Sequence, residues 1–142
     1  MSYIRAALRR LVTQRAQNQC EYCRFPQQVS LFAFEIEHII AQKHDGVTEA
    51  ENLALACPDY NRFKGTDLGS IDPKTKQLTP FFHPRTQKWS DHFCLEATGS
   101  IIPLTPQGRV TAKILQFNHP ERVSERSLFM LLITEMLHNE NE

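Results

Sequence analysis

Phe34-Glu35-Ile36-Glu37-His38-Ile39-Ile40, then Asn52-Leu53-Ala54-Leu55-Ala56-Cys57, then Asn61-Arg62-Phe63-Lys64-Gly65 is the run from which the rest of the chain is read. One short window supplies carboxylates, an imidazole and two carboxamides, the groups that metal-assisted phosphodiester hydrolysis needs. Phe32, Phe34 and Ile36 alternate with Ala33, Glu35 and Glu37. That is the period of a half-buried strand, expected over residues 29–36. By the same alternation His38 falls on the apolar face and Glu37 opposite it. Asp45-Gly46 marks a tight turn, and residues 52–56 supply a short second strand that completes a hairpin-like pair. Pro58 suits a first helical turn and Gly65 a helix end. A short helix from Pro58 to Lys64 should therefore carry Asn61.

Upstream, Ser2 can cap a first helix on which Ile4, Ala7, Leu8, Leu11 and Arg15 recur at helical spacing. Arg5, Arg9 and Arg10 share its polar side. The helix should fade near Asn18, before Cys20-Glu21-Tyr22-Cys23, a C-x-x-C pair of the kind that forms a structural zinc knuckle. Downstream, Asp72-Pro73-Lys74-Thr75-Lys76 reads as a hairpin turn. His83 and His92, in an aromatic-rich segment, read as packing or surface residues before metal ligands, and Cys94 as a small buried hydrophobe. A last helix is expected over residues 120–138, with Pro120 at its first position. Its Leu128-Phe129-Met130-Leu131-Leu132-Ile133 run is apolar on every face and should be buried on more than one side, by the core in preference to a partner chain.

At 142 residues the chain fits one domain with a core that needs no disulfide support. The start has no apolar stretch of the signal-peptide kind, and the apolar run 128–133 is too short to span a bilayer. A cytoplasmic protein is expected, whose cysteines bind metal or pack rather than form disulfides. Net charge is zero, unusual for a protein that grips nucleic acid. The distribution is less neutral: an acidic window over residues 34–57 lies between two basic ones, the layout of a cation site flanked by phosphate contacts.

The ordered set Glu37-His38, Asn52, Asn61 and Lys64-Gly65 resembles the HNH endonuclease family, whose site sits on a ββα-metal (His-Me finger) fold. The likeness is strongest from Cys20 to Gly65. It continues through Phe82 to Phe93, Leu104 to Arg109 and Leu115 to Asn118 as in a small bacterial subfamily. The resemblance implies an α+β fold: a ββα-metal core over about residues 20–65, an N-terminal helix, a C-terminal hairpin extension and a final helix, all in one domain, 1–142. It implies His38 as general base, Asn52 as the amide that pins the His38 loop, and Glu37 and Asn61 as ligands of a catalytic Mg²⁺ or Mn²⁺. Arg62, Lys64 or the N-terminal arginines would contact DNA phosphates. Glu37 stands where Asp is frequent. Asn61 replaces the last histidine, an H-N-N variant whose amide oxygen favours Mg²⁺ or Mn²⁺ over Zn²⁺. In the family a second cysteine pair completes a zinc site; here Cys57 keeps its first position and Tyr60 stands at the second. Cys20, Cys23 and Cys57 then leave two routes open, a three-cysteine zinc site completed by another ligand or replacement of the metal by packing. The expected activity is metal-dependent cleavage of DNA by a monomer without membrane attachment. The alternatives are an HNH-fold DNA-binding module without turnover and a structural or partner-binding domain.

Overall fold

A computed structural model describes residues 3–140, so the expected cap Ser2 lies outside the described residues. The fold is built around a hairpin and the helix that follows it. Strand β1 (Glu35–His38) pairs antiparallel with β2 (Leu53–Ala56), Glu35 opposite Ala56 and His38 opposite Leu53. All four residues of β2 are buried, and helix α1 (Ala6–Arg15) packs against it. Each large side chain so buried, Leu53 and Leu55 among them, contributes roughly 1.5–3 kcal/mol. After Cys57 the chain turns into α2 (Pro58–Lys64), which packs on β1. Pro58 opens that helix and Gly65, at φ +51°, leaves it in a backbone region that side chains rarely adopt.

Two expectations for this unit are corrected. The strand begins at Glu35, not at residue 29, because β2 is only four residues long before Pro58 ends it and pairs only Glu35 to His38. Residues 27–29 form a 3₁₀ turn instead. The backbone of Phe34 donates to the Gln27 side chain and that of Phe32 to Ser30 Oγ. Leu31 and Phe32 are left exposed. The face assignment also reverses. Glu37 is the buried residue of β1 and His38 is half-buried, because α2 and Tyr22 cover the side that alternation assigned to solvent.

The rest of the chain adds two small hairpins and two helices, giving a mixed α+β architecture. Strands β3 (Gly69–Ile71) and β4 (Leu78–Pro80) pair across the 72–76 turn, and β5 (Phe93–Leu95) pairs with β6 (Ile101–Pro103). The Asp72 carboxylate shapes the first turn: it accepts from the Lys74 and Thr75 amides and forms a forked pair with Arg109 at 2.8 and 2.9 Å. Between the hairpins lies a single helical turn, α3 (Trp89–His92), and after them α4 (Pro106–Ile114), capped by Thr105 Oγ1 accepting from the Gly108 amide. Tyr60, Phe82, Trp89, Phe93 and Phe117 pack in tilted and edge-on pairs with ring centres 5.2–5.5 Å apart. Trp89 Nε1 donates to Tyr22 O, which joins this extension to the cysteine knuckle. Cys94 is exposed, not buried, because it alternates with Phe93, which takes the core side of β5.

The last helix, α5 (Pro120–Glu140), departs most from expectation. Its only fully buried side chain is Arg126, while Leu128, Leu131, Leu132, Met136 and Leu137 are 48–63% exposed. The core is already closed by Phe93, Leu115 and Phe117, so within the apolar run only Phe129, whose ring packs on Phe25 at 5.9 Å, and Met130 are half-buried, and the leucines around them stay uncovered.

Candidate functional site

Asn52 sits at the foot of β2, buried, and its side chain closes the 40–47 loop. Oδ1 accepts from the Ile40 amide, and Nδ2 donates to the carbonyls of Ile40 and Val47, each at 2.9 Å. Its own carbonyl accepts from the Ile39 amide at 2.8 Å. Gly46 lies inside the same loop, where a β-carbon would collide with the Ile40 carbonyl. So the segment leaving His38 is held by an amide that satisfies three backbone groups at once. His38, the last residue of β1, places Nε2 2.8 Å from Thr48 Oγ1. Partial burial, and then the charge of Lys64, lower its pKa below the ordinary 6.5, which keeps the imidazole neutral near pH 7.

Glu37 points the other way. It is 4% exposed, and both carboxylate oxygens are engaged: Tyr22 Oη donates to Oε1, and Lys64 Nζ lies 3.5 Å from Oε2. Lys64 is itself 2% exposed and donates to the carbonyls of Ile39 at 2.9 Å and His38 at 3.2 Å. Burial raises the Glu37 pKa, opposed by the Lys64 charge and the Tyr22 hydrogen bond. This enclosed arrangement does not fit the role of an ion ligand expected of Glu37. Lys64, expected to contact a phosphate, is likewise enclosed, its ammonium bonded to two carbonyls. Arg62 is open to solvent at 72% side-chain exposure, held by Asp59 at 3.3 Å.

Asn61 also meets a partner other than the one expected. Its Nδ2 lies 2.5 Å from Glu35 Oε2 on the exposed edge of β1. Glu35 and Tyr22, and Lys64 in its buried form, join the site without having been expected there. A signal for them was present: Glu35 and Glu37 are two apart on a strand and so share a face. Asn61 and Lys64 are three apart on a helix and share one too.

Cys20, Cys23 and Cys57 converge, their three sulfurs within 4.8 Å of one another and all three buried. Cys23 Sγ and Cys57 Sγ are 3.8 Å apart. Burial raises the Cys20 thiol, and hydrogen bonds from Cys20 and Cys23 raise that of Cys57. Three gathered thiols fit a thiophilic divalent ion such as zinc. At the fourth position the Tyr60 ring packs on Phe117, and its hydroxyl lies 3.4 Å from Arg126 Nη1. Arg126 also donates to the carbonyls of Gly99 and Phe117. Among the described residues no other trio of His, Cys, Asp and Glu side chains gathers in this way. His83 and His92 bond within their own segment and to Thr105.

Residues 20–67 match the HNH endonuclease family model. The matched segment runs from the first knuckle cysteine through β1, β2 and α2, and over these residues it bears out the resemblance to that family. No curated protein matches the chain. No helix among the described residues is long and apolar enough to cross a membrane.

Proposed function

We propose that this chain is a metal-dependent endonuclease that hydrolyses DNA phosphodiester bonds, with His38 as the general base. The observation that carries the proposal is the setting of His38: partly open, its Nε2 2.8 Å from Thr48 Oγ1, at the mouth of a loop that the Asn52 side chain ties down. In the tautomer in which Nε2 donates there, the lone pair of Nδ1 is the one that accepts a proton. Water gives that proton to Nδ1, its oxygen forms a bond to phosphorus, and one ester P–O bond breaks, its oxygen leaving to be protonated. Asn61 and a carboxylate of β1 would hold the Mg²⁺ or Mn²⁺. Such an ion neutralises charge on the phosphate and on the leaving oxygen. Asn52 acts as a positioning residue through the His38 loop, and Arg62, exposed on α2, would contact a phosphate. A structural zinc on Cys20, Cys23 and Cys57 would brace the hairpin from behind.

The test is conversion of supercoiled plasmid to nicked or linear DNA under Mg²⁺ and Mn²⁺. Wild-type protein should cleave, and His38→Ala should cleave about 10²–10⁴-fold more slowly, the usual worth of a general base. Equal cleavage by the variant would remove His38 from the chemistry. One observation favours a second reading, a DNA-binding module without turnover: the engagement of both Glu37 oxygens. That reading predicts salt-sensitive DNA retention with no nicking under either ion.

A further inference from the structure

The two rungs between β1 and α2 differ in kind. The inner rung is Glu37 with Lys64, both buried, the ammonium 3.5 Å from one carboxylate oxygen while Tyr22 holds the other. The outer rung is Glu35 with Asn61, at the surface and 2.5 Å apart. A divalent ion at the inner rung would have to displace a lysine bonded to three oxygens and enter beside its positive charge. At the outer rung the Glu35 carboxylate accepts from the Asn61 amide and, among the described residues, forms no ion pair, while Arg62, Arg122 and Arg126 line the cavity beside it. The Asn61 carboxamide presents an oxygen there by a half-turn about its last bond, which exchanges two atoms of nearly equal size.

We infer that the divalent-ion site of this chain is formed by the Glu35 carboxylate and the Asn61 amide oxygen, with Glu37 as a positioning residue and not a ligand. The inference rests on the nuclease reading for its role, and on geometry alone for its place. Two protein oxygens suffice for Mg²⁺ or Mn²⁺, which keep several waters and take substrate oxygens for the remaining positions. The requirement at position 35 is a surface carboxylate on the α2 face of β1. Glu37, through Lys64, fixes the spacing of strand and helix and hence the distance between the two ligands. Lys64 in turn holds the His38 and Ile39 carbonyls, which ties the base to the same frame.

Mn²⁺ binding, read by the loss of free-ion electron paramagnetic resonance signal, separates the ligands without reference to cleavage. Glu35→Gln and Asn61→Ala should each weaken Mn²⁺ about tenfold or more while thermal unfolding stays close to wild type, since Glu35 is exposed and Asn61 only half-buried. Tyr22→Phe frees one Glu37 oxygen with little change of shape. It should lower the melting temperature and leave Mn²⁺ affinity within about threefold. Glu37→Gln, where it folds, should behave as Tyr22→Phe does. Wild-type Mn²⁺ affinity in Glu35→Gln would overturn the assignment, as would loss of Mn²⁺ binding in a folded Glu37→Gln chain or absence of binding by wild type. Glu35-dependent Mn²⁺ binding by a protein that cuts no DNA would sink the nuclease reading and leave this site in place.

Discussion

His38 shows how far one residue's setting decides its chemistry. The alternation of the strand assigned it to the oily face, yet the chain ends β1 there and turns, so the ring meets Thr48 and not the core. Desolvation and the nearby Lys64 charge both disfavour the imidazolium, so the folded pKa lies below 6.5. The neutral form is the one the fold accommodates, so this contribution to stability is present above the unfolded value. It is lost as pH falls through the folded one. The same sign governs the proposed base. Cleavage should rise with pH through an apparent pKa below 6.5 and be level by about pH 7. A rate profile between about pH 5 and 8 at fixed Mn²⁺ checks this, and a midpoint above 7 would point to another group. The identities of the polar residues were legible in the sequence, because an imidazole beside a carboxylate with two downstream carboxamides has few uses. Their partners were not. Whether Glu37 or Glu35 meets Asn61 depends on where β1 starts relative to α2, and a four-residue β2 that sequence periodicity cannot delimit sets that start.

At the scale of elements, the hairpin and its helix were readable because turn residues and a proline punctuate them: Asp45-Gly46, Pro58 and Gly65 stand where the structure turns. The cysteine knuckle was readable only as a question. Three thiols gather to within metal reach, while Tyr60 fills the fourth position with a ring packed on Phe117 and a hydroxyl beside Arg126. Chelation at neutral pH should therefore lower the melting temperature of the wild-type chain, and Cys57→Ser should abolish that sensitivity. Tyr60→Cys should do two opposite things. It should tighten zinc by adding a thiolate, and it should weaken the metal-free protein by about 3 kcal/mol or more through the lost ring. Calorimetry with and without chelator reads both. Indifference of the wild-type melting temperature to chelator would show that packing alone holds the knuckle.

For the whole molecule, the resemblance implied an α+β fold, and the small antiparallel sheets with flanking helices agree. The last helix is where expectation failed. A run of apolar residues signals burial, but burial needs uncovered core to receive it, and the aromatic cluster around Phe117 leaves none. On an isolated chain the exposed leucines should be nearly neutral. Leu131→Glu and Leu132→Glu should each change unfolding free energy by no more than about 0.5 kcal/mol in urea titrations, at low and high protein concentration alike. A cost of about 2 kcal/mol that grows with concentration would mean that a second copy covers the face in solution.

The buried Lys64 has a consequence for the order of events. A carboxylate enclosed between strand and helix would ordinarily need an exogenous ion to offset its charge before the two could close. This chain brings the offsetting charge on its own side chain, the Lys64 ammonium, four carbons out from the α2 backbone. The joint can therefore set while divalent ions are scarce, and whatever ion arrives later meets a frame already finished.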